Sequence, residues 1–396
     1  MNLIINPLFW GIAITLYLLL ILRLPGKLTL RFGLLNLIAL IILLGWKVSF
    51  VAFGFVVSIW TILTLLKNKP DLSNRPLLCI GFYIFLFFLF LIHKLNLANI
   101  EFAPQLEQTA PWFPMDILLP FFTILSFSYI FVRCIDLGRS CIWGNTPLID
   151  PISLMGYLMP FHMLVAGPVN IYDEHVRAEE KPFVSMIPSN VLLVINEITT
   201  GLFYKFVLSE GIRIYFYGLN GSISIDKWFD PFVLVVYVFF DFAGYSKIAR
   251  GLGHLYGIPT PVNFNSPFLA TSITEFFTRW HMSMGQFIRN NIFTPIQLQL
   301  VRRVGVELSS VASIITLVIS FGFVGLWHRL SWTWFLWGIV MGVLMAGEKF
   351  VLTFLIKKKL NPVGGFKTVT DNLGRLYVFL VVASTIYFTA KETFLE

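Results

Sequence analysis

Charge is what this chain lacks. Asp, Glu, Lys and Arg make up 13% of its 396 residues, against roughly 25% in a soluble globular domain. That scarcity excludes a chain built mainly for water. Cysteine is scarce as well: Cys79, Cys134 and Cys141 form no Cys-x-x-Cys pair, which argues against a paired-thiol redox or zinc site and leaves three structural thiols. His-Glu-x-x-His, Walker A and nucleophile-elbow patterns are missing, and no carboxylates cluster as metal ligands. Zinc hydrolysis, P-loop chemistry and serine-type covalent catalysis therefore lack their residues, and no metal site is expected. No internal repeat and no Ser/Gly or charged linker divides the chain, so residues 1–396 read as one integral membrane domain.

What fills the space is apolar: 57% of residues are hydrophobic and 16% aromatic. Crossing roughly 30 Å of hydrocarbon takes about 20 apolar residues. Candidate spans lie near residues 8–22, 32–46, 48–66, 78–92, 114–132, 152–167, 191–208, 230–247, 308–328, 332–356 and 374–391. The expectation is an all-α polytopic protein of about eleven spans with added re-entrant or amphipathic helices. The opening stretch, MNLIINPLFWGIAITLYLLLILRLPGK, lacks a basic segment and a small-residue cleavage site, so it reads as a retained first span. A formal net charge of +8 fits loops facing anionic lipid and does not call for nucleic acid. Basic residues follow the first span (Arg23, Lys27, Arg31), the third (Lys67, Lys69, Arg75), the fifth (Arg133, Arg139) and the tenth (Lys357, Lys358, Lys359). The positive-inside rule makes these loops cytoplasmic and puts the N-terminus outside.

Two polar stretches interrupt the apolar runs. Val169–Pro188, with Asp173, Glu174, His175, Glu179, Glu180 and Lys181, reads as a solvated loop. The second runs from about Ser246 to Arg303 and is rich in Gly, Pro and Asn. Irregular backbone at membrane depth survives only inside protein or beside a water-filled cavity, so function is expected here. Gly257–Leu269, GIPTPVNFNSPFL, carries three prolines and cannot be a regular helix. Ser272 and Glu275 form a capping box. One amphipathic helix is expected to follow, with Phe276, Phe277, Trp280, Met284, Phe287 and Ile288 on one face and Glu275, Thr278, Arg279, Gln286 and Arg289 on the other. Glu275 and Arg279 are four apart with the acid first, the favourable order.

Six histidines are candidates for chemistry: His93, His162, His175, His254, His281 and His328. His93 and His175 are expected to be solvated in loops, and His162 to bond a neighbouring backbone carbonyl. His328, beside Arg329 in an otherwise uncharged aromatic segment, is an ionisable group at membrane depth, which makes function the default hypothesis. A histidine fixing helix packing explains the position equally well. His281 and His328 lie on segments separated by one span and can meet in one cavity. Gly251-x-Gly253 resembles a dinucleotide fingerprint, but its last spacing is wrong and it follows a membrane span. Gly253-x3-Gly257 and Gly338-x3-Gly342 suit close helix packing. Asn220-Gly-Ser222 matches a glycosylation acceptor, a pattern common by chance.

Phe240–Met284, FDFAGYSKIARGLGHLYGIPTPVNFNSPFLATSITEFFTRWHMSM, resembles the signature region of the membrane-bound O-acyltransferase (MBOAT) family. Within that family it is most similar to the bacterial branch of alginate O-acetylation and teichoic-acid D-alanylation. Gly325–Gly338, GLWHRLSWTWFLWG, resembles a second signature, and Met163–Pro168 a third, in the expected order. The resemblance implies a multi-helix bundle around a central funnel. It implies His328 as the catalytic base and His281 as the supporting residue. By their motif positions Arg279, Asn290, Trp280, Trp327, Asp241 and Asn265 become substrate-binding candidates, with Phe323 helping to exclude water. It also implies a thioester donor, acetyl-CoA or an acyl-phosphopantetheinyl carrier protein, and no bound cofactor. The acceptor it implies is an envelope polysaccharide or teichoic acid, reached directly or through a relay protein or second extracytoplasmic transferase, at the bacterial cytoplasmic membrane.

The chain departs from the family pattern in three places. Asn290 stands where relatives often have Asp, Arg329 follows the catalytic histidine where Gly is frequent, and Asn170 and Ile171 replace a basic residue after Gly-Pro. These positions bear on donor and acceptor identity, and Arg329 suits an anionic substrate. Length and the Trp-His-Met-Ser run lean toward D-alanylation, the Leu-Val-Ala-Gly-Pro and Gly-Leu-Trp-His elements toward O-acetylation. A transporter that conducts acyl groups or lipids through the same funnel, without chemistry, is the alternative of another class.

Overall fold

The computed structural model describes residues 3–21, 27–68, 75–97, 121, 127–178, 188–218, 227–358 and 364–394. Helix dominates because the long apolar runs can satisfy their backbone polar groups inside lipid only as helix or closed barrel. In chain order the helices are α1 (Pro7–Ile21), α2 (Leu28–Leu44), α3 (Trp46–Asn68), α4 (Arg75–Leu97), α5 (Phe127–Ile142), α6 (Pro151–Leu158), α7 (Tyr172–Arg177) and α8 (Pro188–Leu202). A π-helical stretch, Phe203–Ser209, joins α8 to α9 (Glu210–Tyr217). Then come α10 (Asp230–Tyr256), α11 (Ile273–Arg279), α12 (Met282–Ile288), a second π-helical stretch at Arg289–Phe293, α13 (Thr294–Val304), α14 (Ser309–His328), α15 (Trp332–Lys357) and α16 (Gly364–Phe394).

Seven stretches among the described residues are long and apolar enough to cross a membrane: Trp46–Lys67, Pro76–Leu95, Val191–Tyr217, Asp230–Tyr256, Val306–His328, Trp332–Leu355 and Lys367–Thr389. Pro7–Leu20 and Leu28–Leu44 are shorter apolar helices. The protein is thus a helical, multi-pass membrane protein, but the expected count of eleven spans is not reproduced. The run 152–167 is not one crossing. Its helix α6 ends at Leu158, and only a short 3-10 turn at Phe161–Met163 follows. Pro160 and the Gly167-Pro168 pair break the pattern. Most of the run 114–132 and the Asn220 acceptor lie outside the described residues.

Contacts cluster into two compact units, Met1–Thr199 with Lys247–Pro261, and Thr200–Ser246 with Val262–Glu396. In the first, buried polar groups hold the broken segment after α6. The Asn36 amide donates to the Met159 carbonyl at 3.1 Å and accepts from the Phe161 N–H at 2.7 Å. The Arg133 guanidinium, 1% exposed, donates to the Leu158 and Pro168 carbonyls at 2.9 and 3.0 Å. Irregular backbone is tolerated there because side chains satisfy it.

Two histidine expectations change in this unit. His93 lies inside α4, buried, and bonds Ser128 Oγ at 3.0 Å. His175 is not solvated: α7 buries it completely beneath Tyr157, ring centroids 5.4 Å apart. His162 is buried and meets Thr260 Oγ1 at 3.5 Å. The three cysteines are free and buried.

The second unit is built on the α14/α15 pair. Glycines let the two backbones touch: a methyl on Gly338 would stand 2.1 Å from the Phe321 carbonyl oxygen, and one on Gly325 2.0 Å from that of Trp334. A methyl on Gly342 would stand 2.7 Å from the Val318 Cα, so Gly338-x3-Gly342 is a packing seam as read. The other glycine pair differs. Gly257 sits at φ +70° and ends α10, while Gly253 makes room for Thr260 of the following turn. The core around α14 and α15 comprises Val235, Ile273, Phe276, Met341, Met345 and Val378 with their neighbours.

Candidate active site

The expected single helix after Ser272 is two helices meeting at His281. Alpha-11 begins as the capping box requires, with Ser272 Oγ accepting the Glu275 N–H at 3.0 Å. The reciprocal half is displaced by one residue, since Glu275 Oε2 accepts from the Thr271 N–H and hydroxyl at 2.8 and 3.0 Å. The Glu275 carboxyl is accordingly held below its usual range, first by the Thr271 backbone N–H and then by Arg279. Alpha-11 stops at Arg279, and His281 takes φ +48°, ψ +49°, the left-handed region, before α12 begins. A helix cannot run through that conformation.

A short antiparallel contact fixes this break. Phe264 bridges Trp280, the Asn265 N–H donates to the Arg279 carbonyl at 2.9 Å, and the Met282 N–H donates to the Asn263 carbonyl at 3.0 Å. The proline-rich link before α11 is thus a strap paired along the His281 turn.

His281 is 8% exposed and packs edge-on to Phe242, centroids 4.8 Å apart. Desolvation lowers its pKa to about 4, so the ring is neutral near pH 7 and presents both a donor and an acceptor nitrogen. Buried Trp327 stands 6.4 Å from it. On the same indole, 5.0 Å away, lies His328, the last residue of α14. His328 is exposed, with one face stacked on Trp334 at 4.8 Å and the ring near Trp337 at 6.0 Å. The two imidazoles thus flank one tryptophan, one buried and one open.

Of the other sequence candidates, Trp280 stacks on Phe276 at 5.3 Å and meets Phe264 edge-on. Arg279 is bound to Glu275 at 2.8 Å, the i,i+4 pair expected from sequence, and its second nitrogen reaches the Asn265 carbonyl at 3.4 Å. Asn265 is exposed, with its backbone in the strap. Asp241, on α10, is ion-paired with Lys205 of the first π-helical stretch. Asn290 sits in the second π-helical stretch, half-buried. Such π turns recur at functional sites. Sequence reasoning missed Asn263, Ser283 and Phe242 around His281. The Pro-x-Asn-Phe-Asn link held the signal for Asn263, but nothing local marks a left-handed histidine.

The fold is that of a helical, multi-pass membrane protein, with His281 and His328 both beside Trp327. Residues 145–388 match the model of "MBOAT, membrane-bound O-acyltransferase family", and the chain belongs to that family. It is an acyltransferase by that membership. The chain is 28% identical over 272 residues to the teichoic acid D-alanyltransferase of Bacillus subtilis, covering 67% of this chain and 68% of that protein. It is 27% identical over 324 residues to the probable alginate O-acetylase AlgI of Pseudomonas syringae pv. tomato, 77% of this chain and 58% of that one. It is 28% identical over 191 residues to the peptidoglycan O-acetyltransferase of Helicobacter pylori, 47% of this chain and 35% of that one. The matches to the two O-acetylating relatives span about a third and just over half of those proteins.

Proposed function

We propose that the protein transfers an acetyl or D-alanyl group from a thioester to a hydroxyl of a cell-envelope glycan or teichoic acid, at the bacterial cytoplasmic membrane. The observation that carries this reading is the shared indole: His281 and His328 flank Trp327 inside the family-matched segment.

The chemistry assigned to each group follows from its surroundings. His328 is open on one side and held flat against Trp334, so an acceptor hydroxyl can reach its ring. As base, it takes the hydroxyl proton while that oxygen bonds to the thioester carbonyl carbon. The tetrahedral adduct collapses by breaking the C–S bond, and the imidazolium returns the proton to the leaving thiolate. His281, neutral and dry, donates its N–H toward the carbonyl oxygen as negative charge develops there, where low dielectric strengthens the interaction. Trp280, Trp327 and Phe323 exclude the water that would hydrolyse the donor. Arg279, Asn265, Asn290 and Asp241 belong to the walls of the substrate path, and donor and acceptor are thioester and envelope hydroxyl.

The test is ester content. Envelope glycans from a strain carrying His328→Ala at normal membrane abundance are expected to lose one defined acetyl or D-alanyl ester by mass spectrometry, as in the deletion strain. Undiminished ester in the His328→Ala strain would overturn the assignment.

A further inference from the structure

We propose that Asn263 is the positioning residue for His281, clamping the α12 end of its left-handed turn so that the ring is held against Phe242 and Trp327. This rests on the reading of His281 as part of the acyl-transfer site.

His281 is one of two non-glycine residues at positive φ among the described residues. Such a conformation persists at a functional position only where the surroundings over-determine it. Here one residue holds the side of the turn that follows the histidine, while Phe264 and Asn265 hold the side before it. The Asn263 main-chain carbonyl accepts the N–H of Met282, directly after the histidine, at 3.0 Å. Its side-chain oxygen accepts the hydroxyl of Ser283 at 2.6 Å and the Ser283 N–H at 3.3 Å. The backbone N–H of Ser283 can only donate, so the amide atom facing it is oxygen and the amide nitrogen points the other way. That nitrogen donates to Ser246 Oγ on α10 at 3.1 Å.

The clamp is dry and anchored. Asn263 and Ser283 are each 2% exposed, and Ser246 is 5% exposed. Alpha-10 also carries Phe242, one turn before Ser246, against which the His281 ring packs. Asn263 therefore ties the histidine's backbone to the helix that holds its ring. A leucine of similar size at 263 would keep the strap's main-chain bond but remove the side-chain bonds to Ser283 and Ser246, and release the α12 end of the turn. A displacement of about 1 Å at such a site costs up to roughly 100-fold in rate.

The experiment uses the full-length protein in a strain lacking the endogenous copy. Its readout is initial incorporation of isotope-labelled acetate and D-alanine into envelope-glycan ester, normalised to membrane abundance. Asn263→Leu is expected to slow incorporation roughly 10-fold or more. His281→Asn removes the imidazole but keeps a residue that tolerates the left-handed region. If Asn263 acts through His281, the double variant is no slower than His281→Asn alone, within about two-fold. Losses that multiply in the double variant, or full incorporation by Asn263→Leu, would overturn the proposal. Should Asn263→Leu fail to accumulate, Ser283→Ala, which deletes the 2.6 Å hydroxyl bond to Asn263, carries the same cycle with the same criteria. A His281→Ala protein with undiminished incorporation would instead defeat the reading of His281 itself.

Discussion

Glu348 of α15 caps a helix 75 residues earlier in the chain: its carboxylate accepts the Ile273 N–H at 2.6 Å and the Thr274 N–H at 2.9 Å. With Ser272 Oγ on the Glu275 N–H, the first three N–H groups of α11 are all satisfied, the groups a helix start otherwise leaves bare. The negative charge also suits the positive end of the helix. Glu348→Ala is expected to lower stability by about 1–2 kcal/mol, the scale of a lost cap. Thermal unfolding in detergent checks this, and Ser272→Ala should cost a similar amount.

Gly338 has no room for a methyl, which would stand 2.1 Å from the Phe321 carbonyl oxygen, whereas Gly347 on the same helix has nothing within 4 Å of that position. Gly338→Ala must push α14 and α15 apart, at about 1–3 kcal/mol for overpacking. It also shifts the helix end that carries His328. Gly347→Ala should be neutral or stabilising by up to about 1 kcal/mol, from helix propensity. Equal unfolding temperatures for the two variants would contradict the packing seam.

How far the sequence spoke depends on what kind of signal each feature leaves. The long apolar runs around Trp46–Lys67 and Trp332–Leu355 are legible because membrane helices are a matter of composition and length. Ser272 and Glu275 are legible because a cap is local. The break at His281 is not, because a left-handed turn is usually marked by glycine and here a paired strap imposes it on a histidine. Burial of His93 and His175 is equally hidden, since polar residues near apolar ends read as loop until the packing partners, Ser128 and Tyr157, are known. The run 152–167 misled for the opposite reason. It is apolar because it is buried in protein, not because it faces lipid.

Acid should loosen the protein in a definite window. His281 and His175 are each held at about 4 by burial, with Arg133 adding to the effect at His175, while an unfolded histidine titrates near 6.5. Between these values the unfolded chain binds more protons than the folded one, so stability rises with pH and is lost as pH falls from about 6.5 toward 4. Glu275, depressed by the Thr271 N–H, adds a loss of the same sign below its unfolded value of about 4.3. Unfolding temperature in detergent, measured from pH 7 to pH 4.5, should fall for the wild type. It should fall less for His281→Asn, and an identical slope would show that this ring does not titrate with unfolding.

Lys205 and Asp241 face each other within two of the crossing helices, with side chains 10% and 40% exposed. The site is built around them. A methyl on Gly244 would strike the Lys205 main-chain nitrogen at 2.7 Å, so α10 lies directly on the π-helical stretch and holds the two charges within one reach. Removing one partner strands a charge where water is limited, which costs more than the intact pair contributes. Lys205→Met and Asp241→Asn are each expected to reduce membrane abundance and unfolding temperature, and Lys205→Met/Asp241→Asn to recover most of that loss. Ester formation separates structure from substrate contact. If Asp241 only neutralises Lys205, the double variant regains both abundance and transfer. Recovery of abundance without transfer would mean that the carboxylate itself meets the substrate.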